Sequence, residues 1–385
     1  MKKNRLLVLA LLPLLVGCNN SSGTSSSSTE KEEVTIVDGQ GRTVTYNKNK
    51  VSKVICIGAG ALRYYSYIGD VSNIIAVEEI DSATSFGVGQ ALRPYYMAGY
   101  DHFKTLSTIG KGGPMAQVAD AEKLAAANPD IIVSFLGGDA NNELQNTIKK
   151  PVIGLKQGGD GIFDPVTLNS FKVLGDVFNK KERYEELSTY INSCKLDFSG
   201  LVETVETYYC GGIGNWGTTS MYGSMLGFPV FKYAKVKSAI DDMEFKDKDG
   251  NPVAKGKQVT LDMEKLTKAN PDHIFMDTAG LNGFIDDYNK EGNKAKYDAL
   301  KAFQNGETYQ LMPYNAYYSN LEVQLMSTYY VASIAHPSFH VELDNKMNEI
   351  TKKFLGKEMY NDIKAHPYGN GGYQKVDLKT AGKIG

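Results

Sequence analysis

The sequence predicts an α/β protein of two similar lobes, with mainly parallel sheets, joined by one long helix. Short apolar, β-branched runs alternate with helical stretches, the pattern of βαβ units. The series of runs occurs twice. Between the two copies lies Asp164–Thr207, about 44 residues without a strand.

The elements follow in order. Val34 to Tyr46 alternates apolar and polar residues around Asp38-Gly39-Gln40-Gly41, a β-hairpin signature. Four runs come next: Val54–Ile57, Ile74–Val77, Ile131–Phe135 and Val152–Leu155, with a helix over Ala119–Ala127 before the third. The second series is Thr207–Cys210, Pro229–Tyr233, His273–Met276 and Thr308–Met312. The third members align letter by letter. Glu122-Lys123-Leu124, Ala127-Asn128-Pro129-Asp130 and Ile132 recur as Glu264-Lys265-Leu266, Ala269-Asn270-Pro271-Asp272 and Ile274, eight identities in twelve positions at a constant offset of 142 residues. Each is a helix ending at Asn, stopped by Pro, and running into a buried strand.

In the strandless stretch, Phe171, Leu174, Val177 and Phe178 share one helical face. After Gly175 and the Asn179-Lys180-Lys181 break, Tyr184, Leu187, Tyr190 and Ile191 share another. A second, long helix is therefore expected from Lys181 to about Glu203, a stiff strut at 1.5 Å per residue. Glu322–Ala335, stopped before Pro337, and Asn345–Phe354 are further helices, and Pro367–Gly385 has the composition of a loose tail. The expected division is a leader over 1–17, a tether over 18–33, lobes over 34–168 and 206–366, a linking segment over 169–205 and a tail over 367–385.

The leader pairs a basic start (Lys2, Lys3, Arg5) with an apolar run, Leu6–Val16, too short to span a membrane. Its end, Leu15-Val16-Gly17-Cys18, resembles the bacterial lipobox, which implies cleavage before Cys18 and lipidation of that residue. Residues 19–29 are only Asn, Ser, Gly and Thr, a flexible tether. Such a chain is expected on the extracytoplasmic side of the cell membrane, held by its lipid. Of 385 residues, 42% are apolar and 22% charged, an ordinary globular composition. Net charge is −2, and 39 − 44 = −5 without the leader, so no basic excess points to nucleic acid. Cys56, Cys194 and Cys210 remain, without C-x-x-C spacing; a Cys194–Cys210 disulfide and three small buried residues are both compatible with the sequence.

These pieces resemble the substrate-binding lipoproteins of iron-chelate and cobalamin ABC importers, the class joined by a single helix. The resemblance rests on the opening VTIVDGQGRTVTYNKNKVSKVICIG, on GAGALRYYSYIG (58–69), ALRPYY (91–96), EKLAAANPDIIV (122–133) and SNLEVQLMSTYYVASIAHPSFH (319–340). It implies a rigid two-lobed receptor with its ligand in the cleft between lobes. It also implies delivery to a permease and its ATPase, with surface Glu residues docking on the permease; Glu78 or Glu79 is the candidate in the first lobe.

Candidate ligand residues come from chemistry at strand ends, where open parallel sheets bind ligands. Gly58-Ala59-Gly60 resembles a dinucleotide fingerprint, but Arg63 stands where its third glycine belongs, so a tight turn opening a helix is expected. Only five residues are Arg (5, 42, 63, 93, 183) against 37 Lys. Arg63 and Arg93 are expected to face the cleft and grip an anionic ligand group with their planar forks; the alternative is structural pairing with a neighbour such as Glu78 or Glu79. Tyr95, Tyr96, Trp216, Tyr222, Tyr314, Tyr317 and Tyr318 are expected around the cleft, with flat apolar area and a polar handle for a bulky chelate, and Tyr95, Trp216, Tyr222 and Tyr317 are the ligand candidates among them. Tyr64, Tyr65 and Tyr67 are expected in the core. The five His (102, 273, 336, 340, 366) are better explained as structural, so no naked metal site and no cofactor are expected, and iron would arrive in its own chelator.

The function expected is capture of an anionic, siderophore-like iron chelate by a monomeric, non-catalytic protein. Haem, a corrinoid or a molybdate-type oxyanion is the alternative cargo. A sensor lipoprotein shares the fold. An enzyme is disfavoured, since no G-x-S-x-G, H-E-x-x-H or P-loop motif is present.

Overall fold

The structure, a computed structural model, describes residues 32–82, 93–112, 120–214 and 220–384. Strands β1 (Glu33–Val37) and β2 (Thr43–Asn47) form the expected antiparallel hairpin. β3 (Val54–Ile57), α1 (Ala61–Ile68), β4 (Ile74–Val77), α2 (Pro94–Phe103), β5 (Ser107–Thr108), α3 (Ala121–Ala127), β6 (Ile131–Ser134), α4 (Gly138–Ile148) and β7 (Val152–Gly154) make the first lobe. Its sheet is parallel throughout, in the order β5-β4-β3-β6-β7. The hairpin docks on the β7 edge through Asp38, which accepts the N–H groups of Gln40, Arg42 and Gly154 at 2.9 Å each. Arg42 completes the joint with a 3.0 Å ion pair to Asp38 and a 3.2 Å bond to the Val152 carbonyl.

Helices α5 (Pro165–Val177) and α6 (Lys181–Asp197) lead to the second lobe. There follow β8 (Thr207–Gly211), β9 (Gly223–Met225), α7 (Pro229–Tyr233), β10 (Lys237–Ser238), β11 (Gln258–Thr260), α8 (Met263–Ala269), β12 (His273–Asp277), α9 (Leu281–Tyr288), α10 (Asn293–Asp298), α11 (Lys301–Asn305) and β13 (Thr308–Leu311). The chain ends with α12 (Leu321–Ala335), α13 (Leu343–Leu355), α14 (Tyr360–Ala365) and β14 (Gln374–Lys375). This sheet runs β10-β8-β12-β13-β14, so β10-β8-β12-β13 repeats the β4-β3-β6-β7 order of the first lobe.

The repeated Asn-Pro-Asp has the same use twice. Asn128 and Asn270 adopt left-handed caps (φ 48° and 37°) after α3 and α8. Asp130 accepts the N–H groups of Ser52 and Lys53 just before β3, and Asp272 accepts the backbone N–H and the hydroxyl O–H of Thr207 at 2.9 Å each. Each Asp thus pins the start of the neighbouring strand and sets its register.

Three expectations change. Pro229–Tyr233 is a helix, not a strand: Pro229 occupies the first helical position, where its fixed φ suits a helix and its missing N–H costs nothing. The strand expected there is the two-residue β10 that follows. Helix α6 ends at Asp197, short of Glu203, because Phe198 turns inward onto Tyr329 (4.8 Å) and Phe339 (5.7 Å), and Gly200 follows. Its 17 residues still span about 25 Å. The C-terminal stretch is not loose, since β14 pairs antiparallel with β13 and Tyr373 and Leu378 are buried. The three cysteines are free and buried, so no disulfide joins Cys194 to Cys210.

Both sheets are buried on both faces, as parallel sheets require. Ile55, Ile57 and Ile132 face one outer cluster, and Tyr209, Ile274 and Met276 face another. The opposite faces, with Val54, Cys56 and Val133 on one sheet and Tyr208, Cys210 and Phe275 on the other, belong to a single cluster that also takes in α1, α5, α6, α12 and α13. In α12 every residue from Leu321 to Ala332 is buried. The two lobes therefore share one core.

The Asp272 carboxylate offers a test of the strand pin. Burial works against its charge, yet Lys301 and Thr207 hold its pKa down to about 2. A depressed carboxylate contributes stability that is present above its unfolded pKa and lost as pH falls through the folded one. Asp272→Ala is expected to cost about 1–2 kcal/mol at pH 7, a gap that closes between about pH 4 and pH 2 in thermal melts. A gap independent of pH would refute the charged pin.

Candidate ligand-binding site

The carboxyl ends of the strands in the two sheets meet at a loop from the second lobe, Tyr314 to Asn320, which follows β13 and precedes α12. The loop is tied to its own lobe by Asp277, at the end of β12, which accepts the Tyr314 N–H at 2.8 Å. It is tied to the first lobe by Arg63 of α1. The guanidinium donates to the carbonyls of Ala316 (2.6 Å) and Tyr317 (3.0 Å) and to Asn320 Oδ1 (2.7 Å). Tyr317 crosses back, its hydroxyl donating to Glu78 Oε2 at 2.5 Å, and Gln157 bonds Ser319 at 3.3 Å.

Local sequence explains how these groups are aimed. Gly58 and Gly60 have φ of 86° and 97°, so the chain turns sharply after β3 and starts α1 as expected. That turn buries Arg63 completely. Pro94 opens α2, with Arg93 extended just before it, also buried. Arg93 donates to Asp81 (2.5 Å), the Tyr95 hydroxyl (2.9 Å) and the Ile80 carbonyl (2.7 Å). The Tyr95 ring lies 4.7 Å from the Arg63 guanidinium and 5.6 Å from that of Arg93.

Arg63, Arg93 and Tyr95 thus form one buried cluster, with the half-buried Tyr317 at its edge; Asp81 pairs with Arg93 at 2.5 Å, and the buried Glu322 carboxyl lies in the field of Arg63. Every terminal nitrogen of the two forks has a protein partner; the Arg93 bonds stay within the first lobe, and the bonds of Arg63 and Tyr317 make the clasp between lobes. Asp81 is the partner of Arg93, where Glu78 or Glu79 was the neighbour considered. Glu78 is buried and bonded to the Gly58 N–H at 3.1 Å, which removes it as a surface residue for docking; Glu79 is half-buried. Tyr222 lies elsewhere: its hydroxyl donates to Asp287 at 2.8 Å, within the second lobe, and its ring faces Tyr297. Trp216 and Cys18 lie outside the described residues. Tyr64, Tyr65 and Tyr67 are core residues, as expected.

The rim of the clasp is aromatic. Tyr318, 41% exposed, stands 5.5 Å from Phe135, at the end of β6. Among the described residues, no group of three His, Cys, Asp or Glu is placed to hold a metal ion. His102 and His336 bond the carbonyls of Ile74 and Ala234.

Comparison with known proteins bears on the fold. No protein-family model matches the chain. The petrobactin-binding protein YclQ of Bacillus subtilis (strain 168) is 24% identical over 284 residues, 72% of this chain and 80% of its own length. A periplasmic solute binding protein of Veillonella parvula superposes with a TM-score of 0.63 at 13% identity, over 85% of this chain and 94% of its own. The molybdate periplasmic binding protein MolA of Haemophilus influenzae gives 0.62 at 14% identity, over 84% and 98%. The chain has the fold of the two-lobed, TroA-like binding proteins of ABC transporters.

The partners of the Tyr314–Asn320 loop come from both lobes. Asp81, Asn320, Asp277 and Phe135 were not foreseen. Each is a common residue in an ordinary loop, and only contacts across 12 to 257 residues of chain reveal its part. Burial pushes the Glu78 carboxyl up to about 7, against the bonds from Tyr317 and Gly58. A carboxyl raised in this way costs stability as pH climbs from its unfolded value near 4.5 through 7. Glu78→Gln is therefore expected to gain on the parent protein between pH 4.5 and 7 and to hold that gain above 7, measured by urea unfolding. A pH-independent difference would show that folding leaves the Glu78 pKa at its unfolded value. At Arg63, replacement by Met would strand one buried and two part-buried acceptors, and a cost of about 2–4 kcal/mol is expected in the same assay.

Proposed function

We propose that this chain is the extracytoplasmic binding component of an ABC importer. It captures an iron chelate in the cleft between its lobes and hands it to a membrane permease powered by an ATPase. The observation that carries this reading is the pair of mainly parallel sheets joined by one core, in a chain similar over 72% of its length to a petrobactin-binding protein. The common core supports a receptor that is already formed before ligand arrives, which limits the ordering cost of binding.

The cargo in this reading is a ferric chelate held intact, with no catalysis and no resident cofactor. The aromatic rim favours an organic ligand over a bare oxyanion. The arginine forks weigh the same way, since both are engaged by protein carbonyls and carboxylates. Their proposed effect on the ligand passes through the Tyr314–Asn320 loop that Arg63 holds. Trp216, in the loop after β8, remains a proposed ligand contact. The chain is proposed to act as a monomer, tethered through lipid on Cys18. Among the described residues no helix is long and apolar enough to cross a membrane.

Calorimetric titration with a ferric catecholate chelate, haem, cobalamin and molybdate tests this directly. Saturable one-to-one binding of the ferric chelate is expected, with quenching of the single tryptophan. Saturation by molybdate alone would replace the iron-chelate reading with an oxyanion one.

A further inference from the structure

The loop from Tyr314 to Asn320 is tied to both lobes, and the Tyr318 side chain within it is 41% exposed. Tyr317 and Tyr318 both have left-handed backbones, with φ of 52° and 75°. Two consecutive non-glycine residues in that region are costly, and such strain persists only where surrounding contacts over-determine it. Those contacts are on both sides. Arg63 holds the carbonyls of residues 316 and 317, Glu78 takes the Tyr317 hydroxyl, Asp277 takes the Tyr314 N–H, and Asn320 returns a bond to the Pro313 carbonyl at 2.8 Å.

What this fastening delivers is the Tyr318 ring. The ring sits over Gly60, where an added Cβ would come within 3.1 Å of it, a tight contact at a position whose φ of 97° already favours glycine. Behind it stands a ladder of rings: Phe135 at 5.5 Å, then Tyr64 at 4.7 Å from Phe135, then Phe171 at 4.9 Å from Tyr64. Tyr64 and Phe171 are fully buried, so the ladder anchors an exposed ring to the core. The Tyr318 hydroxyl makes no hydrogen bond among the described residues, in contrast to that of Tyr317. Its exposed area is therefore an aromatic surface, rigid and already placed, between the carboxyl ends of β3 and β6 and the end of β13.

We infer that Tyr318 is the specificity-determining residue of the cleft, a stacking platform for an aryl ring of the bound chelate, and that Arg63 is the positioning residue that holds it. This rests on the iron-chelate reading and goes further, by separating aryl-bearing chelates from those built only of carboxylate groups. An aryl ring gains an offset or edge contact with the fixed tyrosine; a citrate-type chelate offers no ring to place there. The strain is the cost of aiming the ring.

The test compares ferric 2,3-dihydroxybenzoate with ferric citrate by calorimetry on the full chain. Tyr318→Ala is expected to weaken the aryl complex at least tenfold and the citrate complex less than threefold, and Tyr318→Phe to stay within threefold of the parent for both. Tyr318→Gly is expected to lose aryl binding as Ala does while melting at the same temperature as the parent or higher, because glycine relieves the left-handed backbone. Arg63→Lys keeps the charge but not the fork, and should bring the ratio of the two affinities towards one. A purely structural Arg63 would lower the melting temperature and leave that ratio alone. Equal losses for both chelates with Tyr318→Ala, or no loss, would overturn the proposal. Binding of citrate but not of the aryl complex by the parent protein would overturn it and leave the importer reading standing. If neither chelate binds, both fall together.

Discussion

Helix α12 is the constraint on which the rest of the molecule depends. It is buried on all sides through Ala332, a condition met by helices inside a core and not by those on a surface. Elements of both lobes cover it. Its polar residues are therefore obliged to find partners across the molecule. Gln324 accepts the Ile162 N–H at 2.9 Å and donates to the Asp160 carbonyl at 3.1 Å, and Glu322 takes the Tyr67 hydroxyl. Burial raises the Glu322 carboxyl above its ordinary range, with the nearby Arg63 charge opposing the shift. A helix held in this way cannot slide without stranding buried groups, so it sets the distance between the sheets.

The loop that enters α12 inherits that position. It runs from β13 in one lobe to a helix shared by both. Its ends are placed by the sheet and by the common core, and its middle by Arg63, Glu78 and Asp277. Cleft shape is then a property of the whole fold and not of one lobe. The aromatic ladder from Phe171 to Tyr318 carries the same rigidity out to the rim.

The four arginines after the leader show what type of work this chain reserves for the guanidinium. Arg42 ties the hairpin to β7, Arg63 ties α1 to the cleft loop, and Arg93 ties α2 to the turn after β4. Arg183 ties α6 to the Tyr67 carbonyl of α1 (2.9 Å) and to the Lys353 and Phe354 carbonyls near the end of α13 (2.5 and 3.1 Å). A planar fork can satisfy several fixed acceptors at once, which the single ammonium of Lys does less well. The rarity of Arg among so many Lys was visible in the sequence. That it marked staples between elements, before any grip on a ligand, was not.

Much of the fold was legible because its signals are local. Alternating apolar runs, a helix–Asn-Pro-Asp–strand joint used twice and a hairpin around Asp38 each act within a dozen residues, and the repeat announced two lobes. Where local signals conflict, the sequence misled. Pro229–Tyr233 has the composition of a strand and the first residue of a helix, and the Gly- and Lys-rich C-terminus conceals an edge strand completed only by β13. The candidate site was half legible: Arg63, Arg93, Tyr95 and Tyr317 do converge, but on one another. Composition and short-range pattern alone determined the lobes, their strands and which rare residues matter. Only tertiary structure decided that the lobes share one core and that Arg63 serves as a clasp. It also decided that Tyr318 is the exposed ring, because burial and partnership depend on contacts as much as 257 residues apart, which no local pattern encodes.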